Sequence, residues 1–167
     1  MFASKLSTKA LRNAAAVAVI IGLSASAQAQ KAESPFTNLA GYWSGAGTIT
    51  TSNGTNERIR CKATYAVGEA GRALQQNLRC ASDSYRFDVN SNVLYQGGAI
   101  TGSWSEMTRN ASGAVSGRAE GSHIVANVAG TGFTAALSIV TTAKAQTVVI
   151  RPTGADITNV SVSMKKD

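Results

Sequence analysis

The stretch Glu57–Cys80, ERIRCKATYAVGEAGRALQQNLRC, decides the fold of this chain. In its first half Ile59, Cys61, Ala63, Tyr65 and Val67 share one parity, while Arg58, Arg60, Lys62 and Thr64 take the other. Successive side chains of a strand point to opposite faces, so this segment turns an oily face to a core and a charged face to water. In the second half Leu74, Gln76, Leu78 and Cys80 fall on one face, with Gln75, Asn77 and Arg79 on the other. Between them, Gly68-Glu69-Ala70-Gly71 is a turn signal. Folding about that turn pairs Val67 with Leu74, Tyr65 with Gln76, Ala63 with Leu78, and Cys61 with Cys80. Directly opposed residues of an antiparallel pair have Cα atoms ~4.5–5.5 Å apart, within the span of a disulfide. Hydrophobic pattern and cysteine spacing choose this register independently, which predicts a hairpin closed by a Cys61–Cys80 disulfide.

The rest of the chain repeats the theme. Gly41–Thr51 leads into Ser52-Asn53-Gly54-Thr55, whose Asn-Gly pair is a hairpin turn. Further alternating runs are Tyr85 to Val89, Ala99 to Thr108, Ala114 to Ala119, His123 to Val128, Phe133 to Thr141, Thr147 to Arg151 and Ile157 to Met164. Helical periodicity is nearly absent after residue 35. An all-β domain of about eight to ten short strands is expected, either a single antiparallel up-and-down barrel or a β-sandwich. The connections are short enough to be hairpins, and a meander of hairpins removes its edges most simply by closing, which favours the barrel. Gly41, Gly45 and Gly47 share a parity with Trp43 and Ile49, so this first strand has little inward bulk. Such glycines mark a sharp bend, a close approach by another group, or a cavity beside Trp43.

The N-terminus reads differently. Lys5, Lys9 and Arg12 precede the ten-residue apolar run Ala14–Leu23, and Ala27-Gln28-Ala29 offers small residues where a signal peptidase cuts. Residues 1–29 are therefore expected to be a cleaved signal peptide, with cleavage between Ala29 and Gln30 or, alternatively, after Ala27. The apolar run is too short for a bilayer-spanning helix, which needs ~20 residues. A flexible tail over 30–38 and a barrel domain over 39–167 complete the expected organisation. The compartment is periplasmic or secreted, where an oxidising environment pairs the two cysteines. The full chain carries 16 Lys and Arg against 9 Asp and Glu, and the leader holds three of the basic residues and no acidic one. The mild excess left over favours weak contact with anionic surfaces and does not argue for nucleic acid.

Chemistry is sparse. His123 is the single histidine, no Gly-x-Ser-x-Gly elbow is present, and Gly45-Ala46-Gly47 opens no helix and lacks the lysine of a phosphate loop. No catalytic residue, metal or cofactor is expected, and the chain is not expected to be an enzyme. Trp43 and Trp104 sit in similar settings, Gly-Tyr-Trp-Ser and Gly-Ser-Trp-Ser, and either plug the barrel core or face a ligand. Glu106 continues the inward parity of Ile100, Gly102 and Trp104, so it contacts a ligand or an internal arginine, or else lies at the rim in solvent. With Tyr65, which points inward on its strand, these are the candidate ligand contacts: Trp43, Tyr65, Trp104 and Glu106. Arg58, Arg60 and Lys62 form a basic stripe that either solubilises the wall or binds anions.

The runs GYWSGAGTI, ERIRCKATY, LRCASDSY, ITGSWSE and VVIRPTGADI together resemble a group of small exported proteins of alphaproteobacteria, which implies secretion and an all-β domain and no particular activity. Gly41-x-Trp43-x-Gly45-x-Gly47 resembles the opening strand of calycin-type barrels, including lipocalins and haem-binding nitrobindins. A haem barrel of that kind uses a histidine late in the chain, and His123 stands in another setting. The single disulfide also resembles that of an exported β-barrel inhibitor of metalloproteases. The expectation is thus a non-catalytic envelope barrel that binds a small apolar ligand. A protein-binding module, such as a protease inhibitor or envelope-assembly partner, is the alternative. Stable membrane insertion is not expected, because few aromatics are available for two girdles.

Overall fold

The computed structural model describes residues 33–167; the expected signal peptide and its cleavage site at Ala29–Gln30 lie outside them. Ten antiparallel strands follow one another: β1 (Gly41–Thr51), β2 (Asn56–Gly68), β3 (Ala73–Ala81), β4 (Arg86–Gln96), β5 (Ala99–Glu106), β6 (Ala111–Glu120), β7 (His123–Gly130), β8 (Phe133–Thr141), β9 (Ala145–Thr153) and β10 (Ile157–Lys166). Each pairs with its neighbours in sequence, and β1 pairs with β10, so the sheet closes into an up-and-down barrel. This decides between barrel and sandwich.

The β2–β3 hairpin has the register derived from its sequence, with Val67 opposite Leu74, Tyr65 opposite Gln76 and Cys61 opposite Cys80. The cysteines are bonded, with Cα atoms 4.1 Å apart. The bridge lies between adjacent strands inside the barrel and ties the hairpin from which the rest of the sheet is laid out.

One strand is longer than the alternation of Tyr85, Phe87 and Val89 implies. β4 runs on past Val89 through the polar Asn90-Ser91-Asn92 to Gln96. The polar side chains are used across the sheet. Asn77 donates to Asn90 at 2.7 Å on the outer face, and Ser91 donates to Gln76 at 2.7 Å on the inner face. A cross-strand partner satisfies these groups as a turn would.

The inner wall is largely apolar. Trp43, Ile49, Ile59, Ala63, Ile100, Ile124, Val162 and Met164 are all buried. The glycines of β1 mark close backbone, and no empty space. A Cβ at Gly45 would fall 2.1 Å from the Ser163 carbonyl oxygen, and one at Gly47 would fall 1.8 Å from that of Ser161. β10 therefore fills the room that the expectation of a cavity beside Trp43 required. Gly102, Gly113 and Gly117 play the same part on the far side of the barrel, against β4 and β7. Glycine at these corners lets the sheet coil to a small radius without side-chain collision.

Candidate functional site

The end of the barrel where odd-numbered strands begin, its lower end, is closed by the chain itself. Ser34–Leu39 crosses the mouth as a tight turn, with Thr37 and Leu39 N–H donating to the Ser34 and Phe36 carbonyls. Phe36 and Leu39 drop into the barrel and are 1% and 2% exposed. Phe36 meets Tyr95 edge-on at 6.2 Å. The Leu39 carbonyl accepts the Trp43 indole N–H at 2.7 Å, the Ser34 hydroxyl donates to the Gly71 carbonyl, and Lys166 Nζ donates to the Asn38 carbonyl at 3.3 Å. Residues 33–38, expected as part of a flexible tail, are thus docked as a stopper. The reason is Phe36, an aromatic side chain whose burial contributes more than the turn costs in ordering.

Beneath the stopper lies a band of polar side chains on an otherwise oily wall. The Tyr65 hydroxyl donates to Gln146 Oε1 at 3.0 Å, and Gln146 Nε2 donates to Thr141 Oγ1 at 3.2 Å. Gln146 and Thr141 are 2% and 3% exposed. Next to Tyr65 on the inner face, Gln76 takes the Ser91 hydroxyl. The band therefore runs from β4 and β3 through Tyr65 on β2 to β9 and β8. Burial pushes the Tyr65 phenol up to about 12, so it is a neutral hydrogen-bond donor at neutral pH.

A cleft of about 230 Å³ opens beside the stopper, between Pro35, Asn38 and the β6–β7 turn at Gly121 and Ser122, and its floor is Thr141. Thr141 is also the last member of the polar band. The cleft and the interior band meet at that one side chain.

Of the four candidate contacts, the structure brings two to this site. Trp43 and Tyr65 face each other edge-on at 6.3 Å under the stopper. Trp104 lies toward the other end, packed edge-on against Phe133 at 5.5 Å with its indole N–H on the Ala129 carbonyl. Glu106 is inward and buried, and its carboxylate organises the β5–β6 turn. It accepts the N–H groups of Asp88, Thr108 and Arg109 at 3.0, 3.1 and 2.8 Å, and the Thr108 hydroxyl at 2.6 Å. Burial raises its pKa, but these four donors outweigh it and hold the carboxyl below its ordinary value. Arg109 stands 3.8 Å away.

Gln146, Thr141 and Phe36 were not legible as site residues. The inward parity of Gln146 among Val148 and Ile150 is the signal that finds it in retrospect. A second, open cleft of about 390 Å³ lies at the upper rim between Asn53, Glu57, Ser84 and Asp156. Hydrogen bonds from Ser82 and the Ser84 backbone lower the Glu57 pKa there. His123 is exposed on the outer wall, 3.0 Å from the Ser138 hydroxyl. Among the described residues no group of three or more His, Cys, Asp or Glu is placed to hold a metal ion, and no helix is long and apolar enough to cross a membrane.

No protein-family model and no curated protein matches the chain. Its fold is similar to that of an S-type phycobiliprotein lyase from Guillardia theta, with a TM-score of 0.60 at 11% identity over 79% of this chain and 90% of that one. It is also similar to Rv2717c from M. tuberculosis, with a TM-score of 0.56 at 9% identity over 78% of this chain and 94% of that one. These likenesses concern the fold, the closed antiparallel barrel described above. The first also corrects an expectation: the chain was expected not to be an enzyme, and a barrel of this fold bears the name of a lyase. The physical reason is that a barrel assembles polar groups from distant strands, as it does Tyr65, Gln146 and Thr141. A search for linear motifs therefore excludes nothing.

Proposed function

We propose that this chain is an exported barrel that takes a small, largely apolar ligand through its stoppered lower mouth. The carrying observation is the continuity of the cleft beside Pro35 and Asn38 with Thr141, Gln146 and Tyr65. Small-molecule sites combine an apolar lining with a few placed polar groups. A purely structural interior has no need of such a band, since apolar residues of the same volume stabilise a core at least as well. A ligand that displaces Phe36 and Leu39 exchanges the Thr141–Gln146 contact for its own polar end and lays its apolar body in the room they leave, against Trp43 and Tyr65.

The test is native mass spectrometry of the protein recovered from the exporting cell, with the Tyr65→Phe and Gln146→Leu variants beside it. A retained small molecule that dissociates on denaturation is expected. Gln146→Leu, which removes the partner of the ligand's polar end, should weaken its binding about fivefold, since one hydrogen bond is worth about 1 kcal/mol, and Tyr65→Phe should weaken it less. An empty wild-type protein that also fails to bind an apolar dye displaced by envelope lipid extract would overturn the proposal.

Export itself rests on the basic, apolar and small-residue order of residues 1–29, on the Cys61–Cys80 bridge, and on the resemblance to small exported proteins of alphaproteobacteria. N-terminal sequencing of the secreted protein should begin at Gln30. A protein retained in the cytosol with an intact Met1 would count against it. A protein-binding module would act instead through surface loops and the N-terminal segment up to Thr37. Its apolar anchor, Phe36, is already used by the barrel.

A further inference from the structure

The basic stripe of β2 is one column of a larger array. Register places Lys62 directly opposite Arg79, and Arg60 opposite Ala81, which in turn faces Arg86 on β4. On the other side Lys62 faces Ser44, and Ser44 faces Lys165 on β10. Arg58, Arg60, Lys62, Arg79, Arg86 and Lys165 thus share the outer wall of β10–β1–β2–β3–β4, and all six are exposed. Strands ~4.8 Å apart and same-face residues ~6.8 Å apart along a strand set these cations on a grid of roughly 5–10 Å.

Little neutralises them. Asp88 pairs with Arg79 at 3.1 Å, and Asp167 sits at the lower corner, accepting the Ser44 hydroxyl at 2.6 Å. Glu33, Glu57, Glu69, Asp83, Glu106, Glu120 and Asp156 lie at strand ends, in turns or in the N-terminal stopper. Like charges directly across a strand pair are unfavourable for folding, as Lys62 and Arg79 are here. The residues between the cations are small: Ser44, Ala46, Thr48 and Ala81. Such a wall is smooth and convex, and it meets a plane better than a groove. Beside it, Tyr42 on β1 projects outward and is 68% exposed. Tyrosine is the residue favoured where water meets a lipid headgroup layer.

We propose that this wall is a peripheral docking surface for an anionic lipid bilayer, with the barrel lying on its side, the six cations at the phosphate level and Tyr42 at the headgroups. Each Lys or Arg near an anionic membrane contributes about 1 kcal/mol, so removing three cuts affinity roughly 100-fold. A single strand of nucleic acid is a poorer fit, because aromatic side chains do not alternate with the cations.

The experiment is co-sedimentation of the protein with phosphatidylglycerol-containing and with pure phosphatidylcholine vesicles. Wild type is compared with Arg60→Gln/Lys62→Gln/Arg86→Gln and with the equal-charge control Arg118→Gln/Lys144→Gln/Arg151→Gln. The first 32 residues are common to all three proteins, so only differences between variants and between vesicles are read. Circular dichroism checks that both triple variants keep the strand spectrum. The proposal expects anionic vesicles to be preferred, the wall variant to lose roughly 100-fold, the control less than about threefold, and added salt to release the protein. Equal binding to both vesicle types overturns it, as does an equal loss in the control, which would reduce the effect to net charge. Should heparin hold the protein at a salt concentration that frees it from the vesicles, the lipid assignment also fails.

Discussion

Glu106→Gln is the most informative single substitution, because it removes a charge while keeping the shape of the side chain. Glu106 Oε1 takes three donors, and Oε2 takes the Arg109 N–H at 2.8 Å. In the glutamine variant the carbonyl oxygen keeps the first three, and the amide NH₂ then faces the Arg109 N–H, donor against donor. One hydrogen bond to a charged acceptor is lost and a backbone donor is left unmatched at a buried turn, at a cost of about 2 kcal/mol. For a domain of this size that is a fall of about 8 °C in Tm. The carboxyl is held below its ordinary value in the folded protein. Its contribution is therefore complete above the unfolded value of ~4.3 and is lost as pH falls through the folded one. Thermal unfolding followed by circular dichroism should show a wild-type–variant gap of about 2 kcal/mol at pH 7 that narrows below pH ~4. Equal stability at pH 7 would refute the reasoning. So would a gap that does not begin to narrow as pH falls below the unfolded carboxyl value of ~4.3.

Other perturbations test the remaining parts of the fold. Gly47→Ala puts a methyl group into the Ser161 carbonyl, 1.8 Å from its oxygen, and should cost about 3 kcal/mol or more in urea unfolding; a neutral result would mean that β1 and β10 separate easily. Cys61→Ala/Cys80→Ala should lower the unfolding free energy by about 3 kcal/mol, the entropy of a loop spanning 19 residues, while the barrel's circular dichroism spectrum is retained. Phe36→Ala should cost about 3–4 kcal/mol and speed the entry of an apolar dye in stopped-flow fluorescence, because it both leaves a cavity and draws the stopper. Slower or unchanged dye entry would show that the lower mouth is not the route.

The parts of this molecule that were legible in the sequence are those where neighbours in space are neighbours in pattern. The β2–β3 register follows from parity and from two cysteines at mirror positions about a turn, and nothing distant modifies it. The inward placement of Glu106 follows from parity in the same way. Its partners do not, since they are backbone N–H groups of a turn and of the adjacent strand, for which side-chain chemistry gives no sign. Phe36 is an isolated aromatic in a polar segment with no period to assign it. Gln146 and Tyr65 are brought together from β9 and β2 by closure of the ring. The basic wall has a similar origin: Arg79 and Arg86 join the Arg58–Lys62 column only once three strands are laid side by side. The strand glycines misled because a missing side chain reads as room, and here the neighbouring backbone takes it.

Pairing of β1 with β10 has a consequence for how the protein is made. The first strand emerges and zips to the second at once, but its other edge stays bare until the last strand arrives. For that interval the chain is an open ribbon with two sticky margins, the geometry that invites one molecule to stitch onto another. Closure joins the two strands most widely separated in sequence among the described residues and should set the pace of folding. Anything that delays the arrival of the C-terminal strand lengthens the time in which a crowded compartment can intervene.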